Sequence, residues 1–378
     1  MSKATTARLR GMTLIELLVV VAIIGVLAVT VLPNVAGIAE SRRSREAARA
    51  VSSFIAKAQS RAVGRREWAG FMLATVSTAT TSFVATDLCL ADVPPVYRGD
   101  TVPALLTIAS GSTGIGTTGT ATGTSGQLSL SGSARVSVND MIRFAGRGPW
   151  FEITGVGTGT ITFQQRGAAV SGAGREDAGY TAINTPWPPT SGTTAATTVP
   201  LPFEVLRQPA PSGSPVSLAD GRVIDLAWCG CGPPKLNVGS LTFSGTTYRP
   251  FAITGTGTVA AGGASTAILF DGTGRLRQVV VRSGGTTFRQ TVTGPVFLLI
   301  GRADRATGNI AAPSSLNSSD DSSGANWQYP DSFWVAIDPV TGIVKTAECT
   351  PNPTGATVWE QCVSSQAWIR QALLAEGR

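Results

Sequence analysis

The apolar and polar positions of the 378-residue chain fall into three patterns. The first is a run from Met12 to Leu32, MTLIELLVVVAIIGVLAVTVL, of 21 residues with one charge, Glu16. As a helix this run would be about 31 Å long, enough to cross a bilayer core. A signal-peptide core is shorter, roughly 7–15 apolar residues, and ends in a small-residue cleavage site. The run therefore predicts a transmembrane segment over 12–32. The second pattern has three- and four-residue steps. Ala47, Val51, Phe54, Ile55, Ala58 and Ala62 form one apolar stripe, with Arg42, Arg45, Arg49, Lys57 and Arg61 largely off it. This predicts an amphipathic continuation of the helix. Pro33 lacks an N–H and strains the preceding turn, so a kink or a short unwound stretch is expected there. Gly64 is expected to mark the helix end.

From Trp68 onward, short apolar runs alternate with Gly, Thr, Asn and Pro, which predicts antiparallel strands. The candidates are 69–76, 222–227, 266–270, 278–282, 296–300 and 333–337, with a short helix over 364–375. The expected fold class is α+β: a long N-terminal helix packed on an antiparallel β-sheet body.

Within that body, residues 107–126 read TIASGSTGIGTTGTATGTSG, 16 of 20 being Gly, Ser or Thr. Such a stretch buries little and reads as a flexible linker or exposed loop. Residues 134–165 then alternate strand-like and turn-like segments: ARVSV, MIRFAG, WFEITGV and TITFQQ. They suggest a small inserted β module within about 97–202, with the Pro/Thr/Gly run 184–202 returning the chain to the main sheet. The expected organisation is a leader at 1–11, a helix at 12–66 and a β-rich domain at 67–378.

Charge changes the picture next. The net +7 comes from 30 Lys and Arg against 23 Asp and Glu, and invites a nucleic-acid reading. Yet residues 71–378 hold 19 basic and 19 acidic residues. All the excess lies in the leader and along the helix, so nucleic acid is not an expected partner of the body. The stalk's basic residues read first as a solvated face. Acidic neighbours, lipid headgroups and DNA are the sharper alternatives. The chain has no histidine. This rules out a His-based triad, His metal ligation and an imidazole switch. No GxxxxGK[ST] and no strand–GxGxxG–helix unit is present. Without a catalytic constellation, an enzyme is not expected.

The basic residues Lys3, Arg8 and Arg10 predict that residues 1–11 stay cytoplasmic and the remainder is exported. A carboxylate inside an apolar span marks a functional position, unless it lies near the helix end and reaches the interface. The string Gly11-Met12-Thr13-Leu14-Ile15-Glu16-Leu17-Leu18-Val19-Val20 resembles the class III signal of type IV pilins and pseudopilins. The short basic leader, the glycine before the cut and the glutamate after it all match. Pro33 also falls where many pilins carry a proline, while Met12 stands where the family usually has Phe. The resemblance implies cleavage between Gly11 and Met12 by a prepilin peptidase and N-methylation of Met12. It also implies that Glu16 pairs with the α-amino group of an adjacent subunit and sets the register of assembly. Such a pairing answers the need of a carboxylate in hydrocarbon for a partner.

Residues 47–73, AARAVSSFIAKAQSRAVGRREWAGFML, are similar to the helix-to-strand passage of H-type minor pseudopilins of type II secretion and FimT-like minor pilins. Residues 267–276, AILFDGTGRL, and 333–346, FWVAIDPVTGIVKT, are similar to that group's hairpins. The resemblance implies a minor pilin or pseudopilin of a type IV pilus or a type II secretion pseudopilus. Its alternative is a filament-tip binding subunit, an adhesin or DNA receptor using the inserted module. Arg135, Arg143, Arg147 and Arg166 would then be weighed against Asp140 and Glu152. The implied partners are other pilins, the prepilin peptidase, the inner-membrane assembly platform and inner-membrane lipid. The implied location is a single inner-membrane pass with a periplasmic body. Export permits disulfides. Cys349 and Cys362 would close a C-terminal loop similar to that of many pilins, and Cys229 or Cys231 is available to bond Cys89, though spacing fixes no connectivity. Scattered cysteines without histidine disfavour zinc. No cofactor is expected. Calcium is the exception considered, since some pseudopilins bind it in a C-terminal loop and Asn317, Asp320, Asp321, Asn326 and Asp331 offer oxygens. The other reading of that loop is a solvated polar segment.

Overall fold

Helix α1 (Leu14–Arg65) runs unbroken through position 33 in the computed structural model. No unwound stretch follows Pro33. The loss of one N–H donor is tolerated where the helical turns on both sides are intact. The structure describes residues 14–76, 84–102, 104–108, 118–123, 135–147, 150–164, 200–218, 221–232, 249–250, 265–283, 286–292, 294–306, 324–354 and 358–376, with the side chains of 27–39 left aside. The chain forms two units, Met1–Arg43 and Ser44–Arg378.

In the larger unit the expected stripe is the buried face of α1. Val51, Ile55, Ala58 and Ala62 are fully buried, and Ala47 and Phe54 nearly so. The helix ends at Arg65, one residue beyond the expected Gly64, and Arg66 makes the terminating turn. Arg66 takes a left-handed φ of 54° and its N–H bonds the carbonyl of Val63 at 3.2 Å. A non-glycine residue thus makes the terminating turn that glycine usually makes.

After α1 come β1 (Ala69–Val76) and β2 (Val84–Asp92). The chain then builds a second sheet from β3 (Leu106–Ile108), β4 (Thr118–Gly123), β5 (Met141–Phe144), β6 (Phe151–Gly157), β7 (Thr160–Gln164), β8 (Pro200–Leu201) and β9 (Phe203–Leu206). It rejoins the first sheet with β10 (Ala210–Ser217), β11 (Arg222–Asp225), β12 (Gly230–Cys231), β13 (Arg249–Pro250), β14 (Ser265–Phe270), β15 (Leu276–Ser283), β16 (Thr286–Thr291), β17 (Val296–Arg302), β18 (Phe333–Ile337) and β19 (Val344–Glu348). Two short helices follow, α2 (Val358–Ser364) and α3 (Ala367–Glu376).

The main sheet is antiparallel, in the order β13-β12-β17-β11-β2-β1-β14-β15-β16, with β10 also on β2 and the β18–β19 hairpin on β17. Strand alternation sorts its side chains. Phe71, Leu73, Leu88, Leu90, Ile268 and Phe270 join the core shared with α1. Met72, Ala91, Ala267, Leu269 and Val280 form a separate cluster. Side chains at successive positions point to opposite faces. At the central strand, Gly70 lies opposite Leu269 on one side and Ala91 on the other.

The hairpin turns carry their own fastening. Asp271 Oδ1 accepts the N–H groups of Thr273 and Arg275, and Asp338 Oδ1 those of Val340 and Thr341. These are Asx-type turns, in which a short acidic side chain replaces a main-chain acceptor. From α1, Gln59 Nε2 donates to the Gly274 carbonyl at 2.9 Å and the Thr341 carbonyl at 3.3 Å, tying both turns to the helix.

The second sheet runs β8-β3-β4-β7-β6-β5-β9 over its own core. Phe144, Phe151 and Phe163 pack there with ring centroids 5.1–5.7 Å apart. Two expectations are corrected. The stretch 107–126 is not simply a linker, because TGTATG at 118–123 is β4, paired with β3 and β7, and Ala121 is fully buried. Threonine suits a pleated strand, and the two flanking strands supply the hydrogen bonds that composition does not show. The run 184–202 does not lead straight back to the main sheet. Leu201 pairs with Leu106 of β3, and β9 pairs with β5, before the chain returns. Phe203 and Val205 hold it there, being buried in the module's core.

The return is local. β10 lies along β2 with Ala210 opposite Asp92, the last residue before the excursion. Asp92 is also the anchor of the helix. Arg61 grips it in a two-pronged ion pair at 2.8 and 2.6 Å, and Arg65 adds a contact at 3.1 Å. The hydrogen bonds from Arg61 hold the Asp92 carboxyl below the usual carboxylate range.

Candidate functional site

The N-terminal candidates are placed on α1 as far as the structure describes them. Gly11 and Met12 lie outside the described residues. Glu16 stands in the first turn, exposed, where a negative charge complements the positive end of the helix dipole. Around it, ten large apolar side chains between Leu14 and Val26 are exposed, from 42% at Val20 to 82% at Leu14. Each such side chain gains roughly 1.5–3 kcal/mol on full burial, so this face calls for a covering phase or partner. Among the described residues no helical segment is long and apolar enough to cross a membrane.

One sequence comparison bears on this segment. Residues 7–32 match the prokaryotic N-terminal methylation motif. The match encloses Gly11, Met12 and Glu16, and supports a type IV pilin-like chain processed by a prepilin peptidase and assembled with other pilins. It also supports association with the cell envelope. No curated protein and no solved structure matches the chain.

The stalk's arginines do not simply form a solvated face. Arg61 and Arg65 reach Asp92, and Arg45 reaches Glu348 at 2.9 Å, 303 residues away. No spacing in the sequence signals such pairs. The arginines weighed for DNA contact in the module are also engaged. Arg135 pairs with Asp100, and Arg143 pairs with Glu204 at 2.5 Å while its guanidinium lies 4.6 Å from the Trp150 ring centroid. Asp140, set against them in the sequence, is buried and accepts the N–H groups of Ser137 and Gln208. Arg166 lies outside the described residues.

None of the expected disulfides is formed among the described residues, where Cys89, Cys229, Cys349 and Cys362 are thiols. Cys89 cannot meet Cys229 or Cys231 without rebuilding the sheet. It packs with the Met72 cluster, while the other two lie in the α1-facing core. Cys229 is held as a thiol, its Sγ donating to the Asp225 carbonyl at 3.1 Å and accepting the Leu299 N–H at 3.2 Å. Cys349 and Cys362 are both fully buried. Burial pushes the thiols of Cys229, Cys349 and Cys362 well up.

Of the oxygen donors considered for calcium, Asn317, Asp320 and Asp321 lie outside the described residues. Asn326 and Asp331 are already used. Asn326 Nδ2 donates to Asp225 Oδ2 at 3.0 Å and to the Arg302 carbonyl at 3.1 Å, and its Oδ1 accepts the Arg302 N–H. Asp331 accepts a bond from Arg305 at 2.7 Å. Among the described residues no cluster of acids and cysteines is arranged to hold a metal.

One buried acid went unnoticed in the sequence. Asp225 ends β11 at 1% exposure, and burial lifts its pKa to about 7 against the hydrogen bonds from Asn326 and the Ala227 N–H. The signal available was an acid set between apolar neighbours, in Val223-Ile224-Asp225-Leu226-Ala227.

Proposed function

We propose that the chain is a minor pilin or pseudopilin, cut between Gly11 and Met12, methylated on Met12 and built into a type IV pilus or a type II secretion pseudopilus. The observation that carries this reading is the methylation motif at 7–32, joined to a helix from Leu14 whose apolar side chains through Val26 are exposed. Residues 12–32 span the inner membrane before assembly and pack against other subunits after it, and the β body lies on the periplasmic side. The resemblance of the helix-to-strand passage and of the 267–276 and 333–346 hairpins supports the H-type and FimT-like subgroup. The role is structural, resting on packing and register and not on catalysis.

Glu16 is the residue that this reading loads most. Buried among apolar helices, its carboxylate needs an opposite charge, and the methylated amino terminus of a neighbour supplies one. Glu16→Ala is expected to leave leader removal unchanged, as read by intact mass, while incorporation into sheared filaments falls at least about tenfold. A mutant present in filaments at the normal ratio would remove Glu16 from assembly. An unprocessed wild-type chain beside an active prepilin peptidase would remove the pilin reading itself.

A further inference from the structure

Where α1 crosses the β18–β19 hairpin and α3, the larger unit has an open cleft of about 340 Å³. Its floor is Ala48 and Phe333, both buried, and one wall is Trp368, exposed to 42%. Arg45 and Arg49 stand on the helix side and Glu348 on the strand side. Arg45 is spoken for, bonded to Glu348 at 2.9 Å with its guanidinium 5.9 Å from the Phe333 ring centroid. Arg49 is different. It is exposed, one helical turn beyond Arg45, and has no hydrogen bond or ion pair among the described residues. Two guanidinium groups therefore face one carboxylate across an aromatic floor and wall, and the cleft carries an unanswered positive charge beside apolar surface.

The geometry points to this cleft as a docking site for an acidic peptide segment of a partner protein, one carboxylate taken by Arg49 and an adjacent apolar side chain laid between Phe333 and Trp368. Charge complementarity selects a carboxylate, because guanidinium pairs with it through two parallel N–H donors. The aromatic surface selects an apolar neighbour to that carboxylate, since an exposed indole beside a concave apolar floor gains most from being covered. Arg45 and Arg49 are four apart, about one helical turn, hence on one face of α1.

The test uses the full chain in detergent micelles and three probes: acetyl-Phe-Glu-amide, the same peptide with Gln for Glu, and inorganic phosphate. Binding is read from the indole N–H resonance that disappears in Trp368→Phe. The glutamate peptide is expected to shift that resonance saturably, and Arg49→Glu to weaken binding at least about tenfold. In Arg49→Glu, acetyl-Phe-Lys-amide is expected to bind in its place, which a misfolded variant would not do. Equal binding of the glutamine peptide, saturation by phosphate alone, or an unmoved resonance with every peptide would each overturn the proposal.

Discussion

Replacing Gly70 by alanine is expected to leave almost no folded protein. Gly70 sits in β1, the strand that joins the β2 side of the sheet to the β14 side. A Cβ at this position would overlap the Ile268 carbonyl oxygen and stand 2.9 Å from both the Ile268 carbonyl carbon and the Leu269 Cα. All three are main-chain atoms of β14, so no side-chain rotation relieves the overlap. Either β14 is displaced or the β1–β14 ladder parts. Overpacking that a side chain can absorb costs about 1–3 kcal/mol, and a main-chain collision costs more. Against a typical stability of about 5–15 kcal/mol, the loss is a large share of the whole. Gly64→Ala supplies the contrast. Nothing lies within 4 Å of a Cβ there, and the residue is exposed on α1. It should hold or raise stability by up to about 1 kcal/mol through helix propensity. Chemical denaturation of both variants checks the pair, and a Gly70→Ala chain with wild-type stability would show that the two strands are less closely apposed.

Between pH 5 and 8 the folded chain is expected to lose stability as the pH rises, with Asp225 as the main cause. Its pKa in the fold, about 7, lies above the ordinary value of 3.8, because burial penalises the charged form more than Asn326 and Ala227 relieve it. The folded state thus keeps a proton that the unfolded chain has released. Stability from this group is complete below pH 4 and is lost as the pH climbs to and through 7. At 1.36 kcal/mol per pKa unit the full swing is roughly 4 kcal/mol. The absence of histidine makes the window clean, since no imidazole titrates in it. Burial also raises Asp140, so that residue adds in the same direction. The carboxyls held low, Asp92 by Arg61 and Asp271 at about 2, act in the opposite sense and only in more acidic solution. Asp225→Asn, which carries the uncharged form permanently, should flatten the denaturation midpoint across pH 5–8. An unchanged slope in that variant would assign the dependence elsewhere.

What could be read from the chain follows from the range of the forces involved. The helix stripe was legible because burial of Val51, Ile55, Ala58 and Ala62 repeats every three or four residues. The strands 69–76 and 333–337 were legible for a similar reason, as apolar runs bounded by turn formers. The Asp271 and Asp338 turns are local too, each closed within a few residues by its own side chain. Non-local effects were not legible. TGTATG at 118–123 has the composition of a linker and becomes a strand only because β3 and β7 are there to pair with it. The Arg66 turn replaces the one expected at Gly64, since a left-handed φ is available to any residue whose surroundings compensate for the strain. Arg45 meets Glu348, and Arg49 joins the Trp368 cleft, through a tertiary crossing that no periodicity encodes. At the N-terminus the methylation motif at 7–32 was legible, because its meaning lies in spacing along the chain.

The pairing of Asp92 with Ala210 has a consequence for the history of such a chain. The second sheet hangs from two points that are neighbours on adjacent strands, so its departure and return could be replaced by a tight hairpin turn without moving β2 or β10. A lineage can therefore gain, exchange or shed the entire 93–209 segment as a cassette while the helix anchor at Asp92 and the sheet beneath it keep their form. Exchange of the second sheet and retention of the first thus become separable events.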